Sequence, residues 1–479
     1  MKLIKTSLLA ALAAVTLAAP AHASSNQESI FQDDATLLGD DASKREQTLD
    51  EMQALGVDTV RANVLWNRIA PDATSSTKPA GFDAANPDAY PAGNWARLDA
   101  VVQGVQSRGM QILLTPTGPG PGWASECRGD YAARRICKPS PAEFGDFVEA
   151  IARRYPSVRR WSLWNEPNQG GWLTPQYEIT SKGATPAAPH RYRRLVAAAT
   201  AGLADAGHSG DQVLLGDTAP VGRTSGPLAT RTMPPVDFWR ELMCLDTKGR
   251  KLTGSNASVR DCTTPGRMAV SGIAHHPYTR AAGKSPADKG GSRDITLASI
   301  SRLYLWVDRG ARAGRIPSRL PVFNTEFGFQ TNPPDRTAGV SLSAQAQYLN
   351  QAEYMSWRDG RLRSFAQYEL YDERDTAAFQ TGLRFDDGRA KPGLDAYRLP
   401  VWAFKRSGYT YVWGMVRPAR GGTQTATVEY YDARSRAWKR LRTVSLGPSN
   451  RVVYLRTKAS GRYFRIASGD QVSRKAAPK

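Results

Sequence analysis

Short apolar runs alternate with longer amphipathic runs along most of this chain, and this rhythm limits the possible folds more than any other feature. The run 49–55 has helical spacing, ends at Gly56 and is followed by the apolar run 57–64, which is typical of a strand. The same unit recurs, with helices predicted at 98–107, 141–155, 191–206, 300–310 and 343–359 and strands at 110–115, 158–164, 212–216, 272–276, 320–325 and 364–370. A first strand at 29–32 brings the count to eight, which predicts an α/β fold, a (β/α)8 TIM barrel over residues 24–400.

The pattern changes after Pro400. Residues 401–470 form short runs of alternating apolar and polar residues separated by Gly and Pro, which predicts a small all-β sandwich. This second domain is either a carbohydrate-binding module or a stabilising appendage. Residues 471–479 are a basic tail that we expect to be frayed. Within the barrel, long insertions are predicted after several strands, for example at 220–262.

The first 23 residues have the pattern of a signal peptide. Two lysines precede an apolar run at 8–19 that is too short to span a bilayer, and the small-x-small stretch Ala21-His22-Ala23 suits a cleavage site. A buried apolar helix is the alternative. No later stretch contains 18 consecutive apolar residues, so we expect a secreted, extracellular protein without a membrane span.

Four cysteines follow the leader, at Cys127, Cys137, Cys244 and Cys262. Their spacings do not match paired C-x-x-C zinc sites, and an even number in an exported protein favours disulfide bonds. Pairing Cys127 with Cys137 and Cys244 with Cys262 is the simplest of the three possible connectivities. If the chain is not exported, the same residues are expected to be free thiols.

The chain carries 64 Lys and Arg against 44 Asp and Glu, a net charge of +20. Many arginines are scattered over predicted helix surfaces, which is typical of solvated faces. The alternative is an anionic partner such as a cell-wall polymer, which this charge would attract. No DNA-binding signature occurs, so nucleic acid is not expected as a partner.

Two carboxylates lie where predicted barrel strands end. Glu166, within Asn165-Glu166-Pro167, follows the fourth strand, and Glu326, within Thr325-Glu326-Phe327-Gly328, follows the seventh. Barrel enzymes place catalytic residues at the carboxyl ends of their strands. Cleavage of a glycosidic bond requires two carboxyl groups that converge on it. A single carboxylate at a strand end is more often a helix cap or an ion-pair partner.

With these motifs the region 29–400 resembles the clan-A glycoside hydrolases, which include the family 5 cellulases and mannanases and the family 39 xylosidases. The resemblance implies that Glu166 is the acid/base and Glu326 the nucleophile of a retaining mechanism. It also implies that Tyr278 donates a hydrogen bond to the nucleophile and that Arg61 lies beside it. Asn165 is then expected to contact the sugar 2-hydroxyl.

His276 and Tyr278 are two residues apart after the sixth strand and should point inward together, with His275 pointing away. The clan usually carries an aromatic platform after strand eight, where this chain offers Tyr368 or Tyr371. Trp66, Trp123 and Trp172 lie on predicted loops and are further candidates for stacking on sugars, with ordinary packing as the alternative. No cofactor is expected, and no metal site, because the few histidines are not spaced as ligands.

The sequence therefore predicts a secreted retaining glycosidase that cleaves O-glycosidic bonds of a β-linked oligosaccharide or polysaccharide. The same residues could instead run a transglycosylase. A different class of function is a non-catalytic, basic cell-surface protein that binds polysaccharide.

Overall fold

A computed structural model describes residues 27–279, 283–417, 423–447 and 451–479. Its largest sheet contains eight parallel strands: β1 (Glu28–Gln32), β2 (Thr59–Leu65), β3 (Gln111–Thr117), β4 (Arg160–Leu163), β5 (Gln212–Thr218), β6 (Gly272–His275), β7 (Val322–Asn324) and β8 (Ser364–Tyr368). The order β8-β1-β2-β3-β4-β5-β6-β7 follows the chain, and a bridge between Val322 and Leu362 joins the two ends. The predicted (β/α)8 barrel is confirmed.

One helix follows each strand and covers the outside of the barrel. These are α1 (Ala42–Ala54), α2 (Ala92–Ser107), α3 (Pro141–Arg154), α4 (Ala188–Asp205), α5 (Pro235–Leu242), α6 (Ser301–Arg312), α7 (Leu342–Arg358) and α8 (Pro392–Arg398). The side chains of Asp41, Ser140 and Ser341 accept hydrogen bonds from the first turns of α1, α3 and α7, which explains where these helices begin. Because helices cover the sheet, the strands are buried along nearly their whole length.

Several elements were not predicted. Helix α5 lies inside the predicted insertion 220–262, and α8 has only seven residues, too few to show a clear period. An antiparallel hairpin of Tyr177–Thr180 and Gly183–Pro186 follows β4, and each of its strands has only four residues, the shortest run over which strand alternation can be recognised. Short helices at Asp34–Leu37, Trp66–Ile69, Tyr131–Arg134 and Gly254–Ser258 lie in other loops, with single 3₁₀ turns at Pro87–Ala89, Gly122–Ala124 and Leu297–Ser299.

The C-terminal region forms two antiparallel sheets packed around their own core. Strands β9 (Val401–Arg406), β10 (Tyr409–Met415) and β13 (Val452–Thr457) form one sheet, and β11 (Gln424–Asp432), β12 (Ala437–Leu446), β14 (Phe464–Ser468) and β15 (Gln471–Val472) form the other. Their shared core includes Val401, Val412, Val428, Leu455 and Phe464. This is the predicted sandwich.

The predicted frayed tail is wrong. Gln471–Val472 pairs with β14, Ala476 exchanges two backbone hydrogen bonds with Phe464, and Lys479 exchanges two with residues of β9. The edge strands of the two sheets have unpaired backbone N–H and C=O groups, and the tail forms hydrogen bonds with them. These bonds hold the tail on the sandwich.

The sandwich packs on helix α7 of the barrel. Tyr354 and Trp357 of α7 form an aromatic cluster with Trp402 and Trp413 of the sandwich. A buried ion pair joins Arg417 to Glu353, and Arg451 binds Asp58 at 2.9 Å. Aromatic contacts and buried charges therefore hold the two domains together.

Two disulfide bonds are formed, Cys127–Cys137 and Cys244–Cys262, which is the simplest of the three connectivities that the sequence left open. Among the described residues no helix is both long and apolar enough to cross a membrane. The predicted signal peptide, residues 1–23, lies outside the described residues.

Candidate active site

Glu166 reaches the mouth of the barrel through a sharp turn after β4. Trp164 and Glu166 both adopt left-handed backbone conformations, with φ of 69° and 40°. The backbone N–H of Glu166 donates to the carbonyl of Asp217 at 3.0 Å. This bond to the end of β5 holds the Glu166 backbone against the strand end. Glu166 is 9% exposed, so it is nearly buried.

Glu326 lies two residues beyond β7 and is held by two donors. The hydroxyl of Tyr278 donates to Oε1 at 2.9 Å, and Nη1 of Arg61 donates to Oε2 at 3.1 Å. One carboxylate oxygen of Glu166, one of Glu326 and one ring nitrogen of His276 all lie within 4.8 Å of one another. The two carboxylates predicted from separate strand ends therefore meet at one place.

Arg61 is fully buried inside the barrel and links several acceptors. Its strand, β2, continues to Leu65, so Arg61 lies within the strand. Besides Glu326, the guanidinium donates to Asn165 Oδ1 at 2.8 Å and Asp217 Oδ2 at 3.1 Å. Burial opposes its charge, but Asp217 and Glu326 outweigh burial and raise the pKa of Arg61. Asn165 is left with its NH₂ group to donate to a substrate.

His276 bridges the acidic groups. Its Nδ1 lies 3.0 Å from Glu166 Oε1 and 3.7 Å from Glu326 Oε2, and its Nε2 lies 3.3 Å from Asp217 Oδ1. Burial disfavours the imidazolium, but Glu326, Asp217 and Glu166 outweigh it and raise the pKa of His276 to about 10. His276 is therefore a buried cation at neutral pH.

Glu166 has an environment suited to holding a proton. Burial raises the pKa of its carboxyl group, and the negative charge of Glu326 raises it further, while the contact with His276 acts in the opposite direction. Gln169 donates a hydrogen bond to the other oxygen of Glu166. A carboxyl group with a raised pKa beside an ionised one can serve as a general acid.

His275 points away from the carboxylates, as predicted. Its ring bonds to the Thr218 hydroxyl at 2.8 Å and to the Ile295 carbonyl at 2.7 Å. Burial lowers the pKa of His275 to about 3, so it is neutral. The alternation of side chains along a strand thus separates two adjacent histidines into one neutral structural group and one charged group in the site.

Sequence reasoning missed Asp217, at the end of β5. This carboxylate is fully buried with φ of 45°, and it accepts hydrogen bonds from Arg61, Ser162 and Thr325. Burial works against its charge, but Arg61 and His276 hold its pKa well below the usual range. The available signal was the position of Gly216-Asp217-Thr218 at a strand end.

The aromatic candidates divide into two groups. Trp66 is fully buried and stacks on Phe147 with ring centroids 5.4 Å apart, so its predicted role as a sugar platform is wrong. The ring is enclosed because Trp66 begins a short helix and packs on Phe144 and Phe147 of α3. Trp123 is also buried, with its indole N–H donating to the Pro71 carbonyl at 3.0 Å.

The other three aromatic residues remain partly accessible. Tyr368 packs edge-on against Phe379, and the charge of Glu326 contributes to raising the pKa of Tyr368, after burial, which is the larger cause. Tyr371 lies under the ammonium group of Lys44, 4.3 Å from the ring centre. Trp172 lies on the loop after β4, close in sequence to Gln169. Among these three aromatic candidates, Tyr368 is therefore the one whose pKa is affected by the charge of Glu326.

The comparisons with known proteins agree with this architecture. The family model for cellulase (glycosyl hydrolase family 5) matches residues 23–203, a segment that includes Glu166 but not Glu326. A β-glucosidase from Agrobacterium sp. (strain ATCC 21400) is 28% identical over 147 residues, which is 29% of this chain and 27% of the relative. The chain thus spans about a quarter of the length of that relative.

Among solved structures, the chain is similar to a family 39 glycoside hydrolase from Bacteroides cellulosilyticus WH2. The TM-score is 0.51 and the sequence identity is 15%, and the match covers 90% of this chain and 81% of that chain. At this identity the likeness concerns the fold. The resemblance to clan-A glycoside hydrolases predicted from the sequence is confirmed.

Proposed function

We propose that this protein is a secreted, retaining glycoside hydrolase that cleaves β-linked oligosaccharides or polysaccharides. The observation that carries the proposal is the approach of Glu166 and Glu326, with carboxylate oxygens within 4.8 Å of each other. Retaining enzymes need carboxyl groups about 5–5.5 Å apart, whereas inverting enzymes need about 6.5–9.5 Å to hold a water molecule between them. The match to the cellulase family model and the likeness to a β-glucosidase support the substrate class.

In the first step, Glu326 attacks the anomeric carbon and the bond from that carbon to the leaving oxygen breaks. Glu166 transfers its proton to the departing oxygen, so the leaving group departs as an alcohol. Arg61 and Tyr278 hold Glu326 in position through their bonds to its two oxygens. The product of this step is a covalent glycosyl ester of Glu326.

In the second step, Glu166 is ionised and accepts a proton from a water molecule, whose oxygen attacks the anomeric carbon. The ester bond to Glu326 breaks, and the sugar leaves with its original anomeric configuration. His276 lies within reach of Glu166 in both steps and favours the ionised form when Glu166 must act as base. Asn165 donates its amide N–H to the 2-hydroxyl, a contact that strengthens in the transition state.

A panel of aryl β-glycosides tests the proposal. We expect turnover on at least one sugar, initial release of the β-anomer by NMR, and labelling of Glu326 by the corresponding 2-fluoro glycoside in mass spectrometry. Glu326→Ala should abolish turnover, while Asp387→Asn, a carboxylate on the exposed β8–α8 loop, should not. An initial α-anomer, or labelling of another residue, would refute the retaining mechanism.

The same panel separates the alternatives. Sugar acceptors that compete with water would produce longer glycosides, which is the mark of a transglycosylase. Absence of turnover on every sugar, together with binding to polysaccharide, would favour the non-catalytic binding protein.

Secretion is part of the proposal. The leader-like residues 1–23 and the two disulfide bonds support it, since disulfide bonds persist in oxidising compartments. N-terminal sequencing of protein recovered from the culture medium should show a chain that begins near Ser24. Retention of the full-length chain inside the cells would contradict this.

A further inference from the structure

The positive charge of the chain is concentrated in one domain. Residues 401–479 contain 17 Lys and Arg and only 3 Asp and Glu, so this domain carries +14 of the total +20. Two of the three acids, Glu429 and Asp432, are paired with Arg465 and Lys439 inside the domain. Scattered solvated charge on the barrel therefore does not account for the basic character of the protein.

A cleft of about 460 Å³ opens in this basic domain, between the β9–β10 turn and residues 458–461. Lys405, Arg406 and Lys458 line it together with Tyr409 and small residues, and none of its lining residues is acidic. The guanidinium of Arg456 lies 4.3 Å from the centre of the Tyr409 ring and adds a fourth cation nearby. We call this feature the sandwich cleft.

The cations of the sandwich cleft are available to a ligand. Lys405, Arg406, Arg456 and Lys458 are exposed, and no carboxylate side chain of the described residues lies within ion-pair distance of them. Four cations without a carboxylate partner around one concave surface attract an anion.

The backbone around the cleft is well anchored. The turn Ser407-Gly408 has φ of 50° and 75°, the left-handed pair that closes a tight two-residue hairpin. Thr410 pairs with Thr457 across the sheet, and Lys405 pairs with Lys479 through its backbone. The cations therefore project from fixed positions, which reduces the entropy lost when a ligand is bound.

We propose that the sandwich cleft binds an acidic polysaccharide, with its charges carried by carboxylate or phosphate groups on the sugars. Lys and Arg pair with the anionic groups, and the accessible part of the Tyr409 ring contacts the apolar face of a sugar. The choice of a glycan over another polyanion rests on the proposed function, since the barrel in the same chain is a candidate glycosidase. The cleft would then hold the enzyme on a charged polymer while the barrel mouth acts on glycosidic bonds.

Binding of the full-length protein to immobilised polygalacturonate, phosphomannan, neutral dextran and a short DNA duplex tests this inference. We expect binding to one or both acidic glycans and none to dextran. The triple variant Lys405→Gln/Arg406→Gln/Lys458→Gln should weaken binding by about tenfold or more and reduce the dependence of log Kd on log salt by about two. The control Lys182→Gln/Lys248→Gln/Arg267→Gln removes three exposed cations from the barrel and should leave both quantities nearly unchanged.

Equal losses in the two triple variants would overturn the assignment to the cleft, because binding would then follow net charge alone. Binding to DNA as tight as to either glycan, with the same loss in the cleft variant, would overturn the choice of an acidic polysaccharide. Turnover of a small aryl glycoside, measured in parallel, should be the same in both variants and wild type. Failure of glycan binding with intact turnover, or the reverse, therefore separates this inference from the proposed function.

Discussion

At the scale of single residues, Asp217 controls the charges around the two glutamates. It binds Arg61 on one side and His276 on the other, and both of these cations touch the candidate catalytic carboxylates. A carboxylate that does not face the reacting bond can therefore set the position of Glu326 and the protonation of His276. We regard Asp217 as a positioning residue.

Asp217→Asn should reduce kcat/KM by about a hundredfold, because small displacements of catalytic groups have effects of this size. The pKa of His276 should fall, since Asp217 is one of the groups that raise it to about 10. An NMR titration of His276 with a pH–rate profile measures both effects. Ser162→Ala, which removes a donor to Asp217 and keeps the charge, is the matched control. An unchanged His276 titration in Asp217→Asn would show that the ion pair is not what sets this pKa.

Glu166→Gln removes the proton donor and preserves size. We expect kcat/KM to fall by about a hundredfold or more for poor leaving groups, in line with the contribution of general acids. Dinitrophenyl glycosides, whose leaving group departs without protonation, should lose much less in the first step. Pre-steady-state release of dinitrophenol measures this step. Equal losses for good and poor leaving groups would assign Glu166 a role other than acid.

Glu369, directly after β8, is a buried acid that makes the stability of the protein depend on pH. Burial raises its pKa to about 11, with Asp33 and Glu373 adding to the effect, against a usual value of 4.5. The folded protein therefore holds a proton that the unfolded chain releases above pH 4.5, and stability falls as pH rises from there to about 11. Glu369→Gln should stabilise the protein by about 5 kcal/mol at pH 8 and hardly at pH 4, since each pH unit above 4.5 is worth about 1.4 kcal/mol. Urea unfolding at both pH values measures this, and an equal gain at both would contradict the ionisation argument.

The sequence identified Glu166 and Glu326 because a carboxylate at a strand end has a recognisable context. Asp217 has the same position but no flanking motif, and its importance depends on Arg61 and His276, which are 156 and 59 residues away in sequence. Trp66 shows the opposite error, since a loop tryptophan looked accessible until the fold of its short helix enclosed it. Long-range packing decides both cases, and local sequence does not encode it.

At the scale of elements, helices and strands with a strong hydrophobic period were predictable from the sequence. The observed ends of helices α3 and α4, for example, differ from the predicted ends by three residues at most. The eight-residue α5 and the hairpin after β4, whose strands have four residues each, were missed, because segments this short carry a weak periodic signal. Helix α7 contacts both domains: one face covers the barrel, and Tyr354 and Trp357 contact the sandwich.

Trp413→Ala tests the contact between α7 and the sandwich. Trp413 is fully buried against Tyr354 and Trp357, so its removal should lower the free energy of unfolding by about 3–5 kcal/mol. Trp438→Ala, in the same domain but half-exposed beside Tyr431, should cost much less. Denaturant unfolding followed by circular dichroism compares the two. Similar costs would mean that the aromatic cluster does not stabilise the junction.

At the scale of the whole molecule, the two domains divide the work between a nearly charge-balanced barrel and a strongly basic sandwich. The candidate active site lies at the carboxyl ends of the barrel strands, and every contact described above for Glu166 and Glu326 comes from the barrel. The sandwich contacts the barrel at α7 and at Asp58, which forms an ion pair with Arg451. These contacts stabilise the barrel. The chemistry should therefore be separable from the stability that the sandwich confers.

Deletion of residues 401–479 should separate catalytic activity from the stability that the sandwich confers. It exposes Tyr354 and Trp357 and leaves the buried Glu353 without Arg417, so we expect a lower Tm and a tendency to aggregate. Adding Glu353→Gln, Tyr354→Ser and Trp357→Ser should restore solubility, because these changes remove the orphaned charge and the apolar patch. At a temperature well below its Tm, the repaired barrel should turn over a small aryl glycoside with kcat and KM close to those of the full chain. Among the described residues, no side chain of the sandwich contacts Glu166 or Glu326. A folded barrel with a large loss of kcat would therefore show that the sandwich shapes the catalytic site, which contradicts this division.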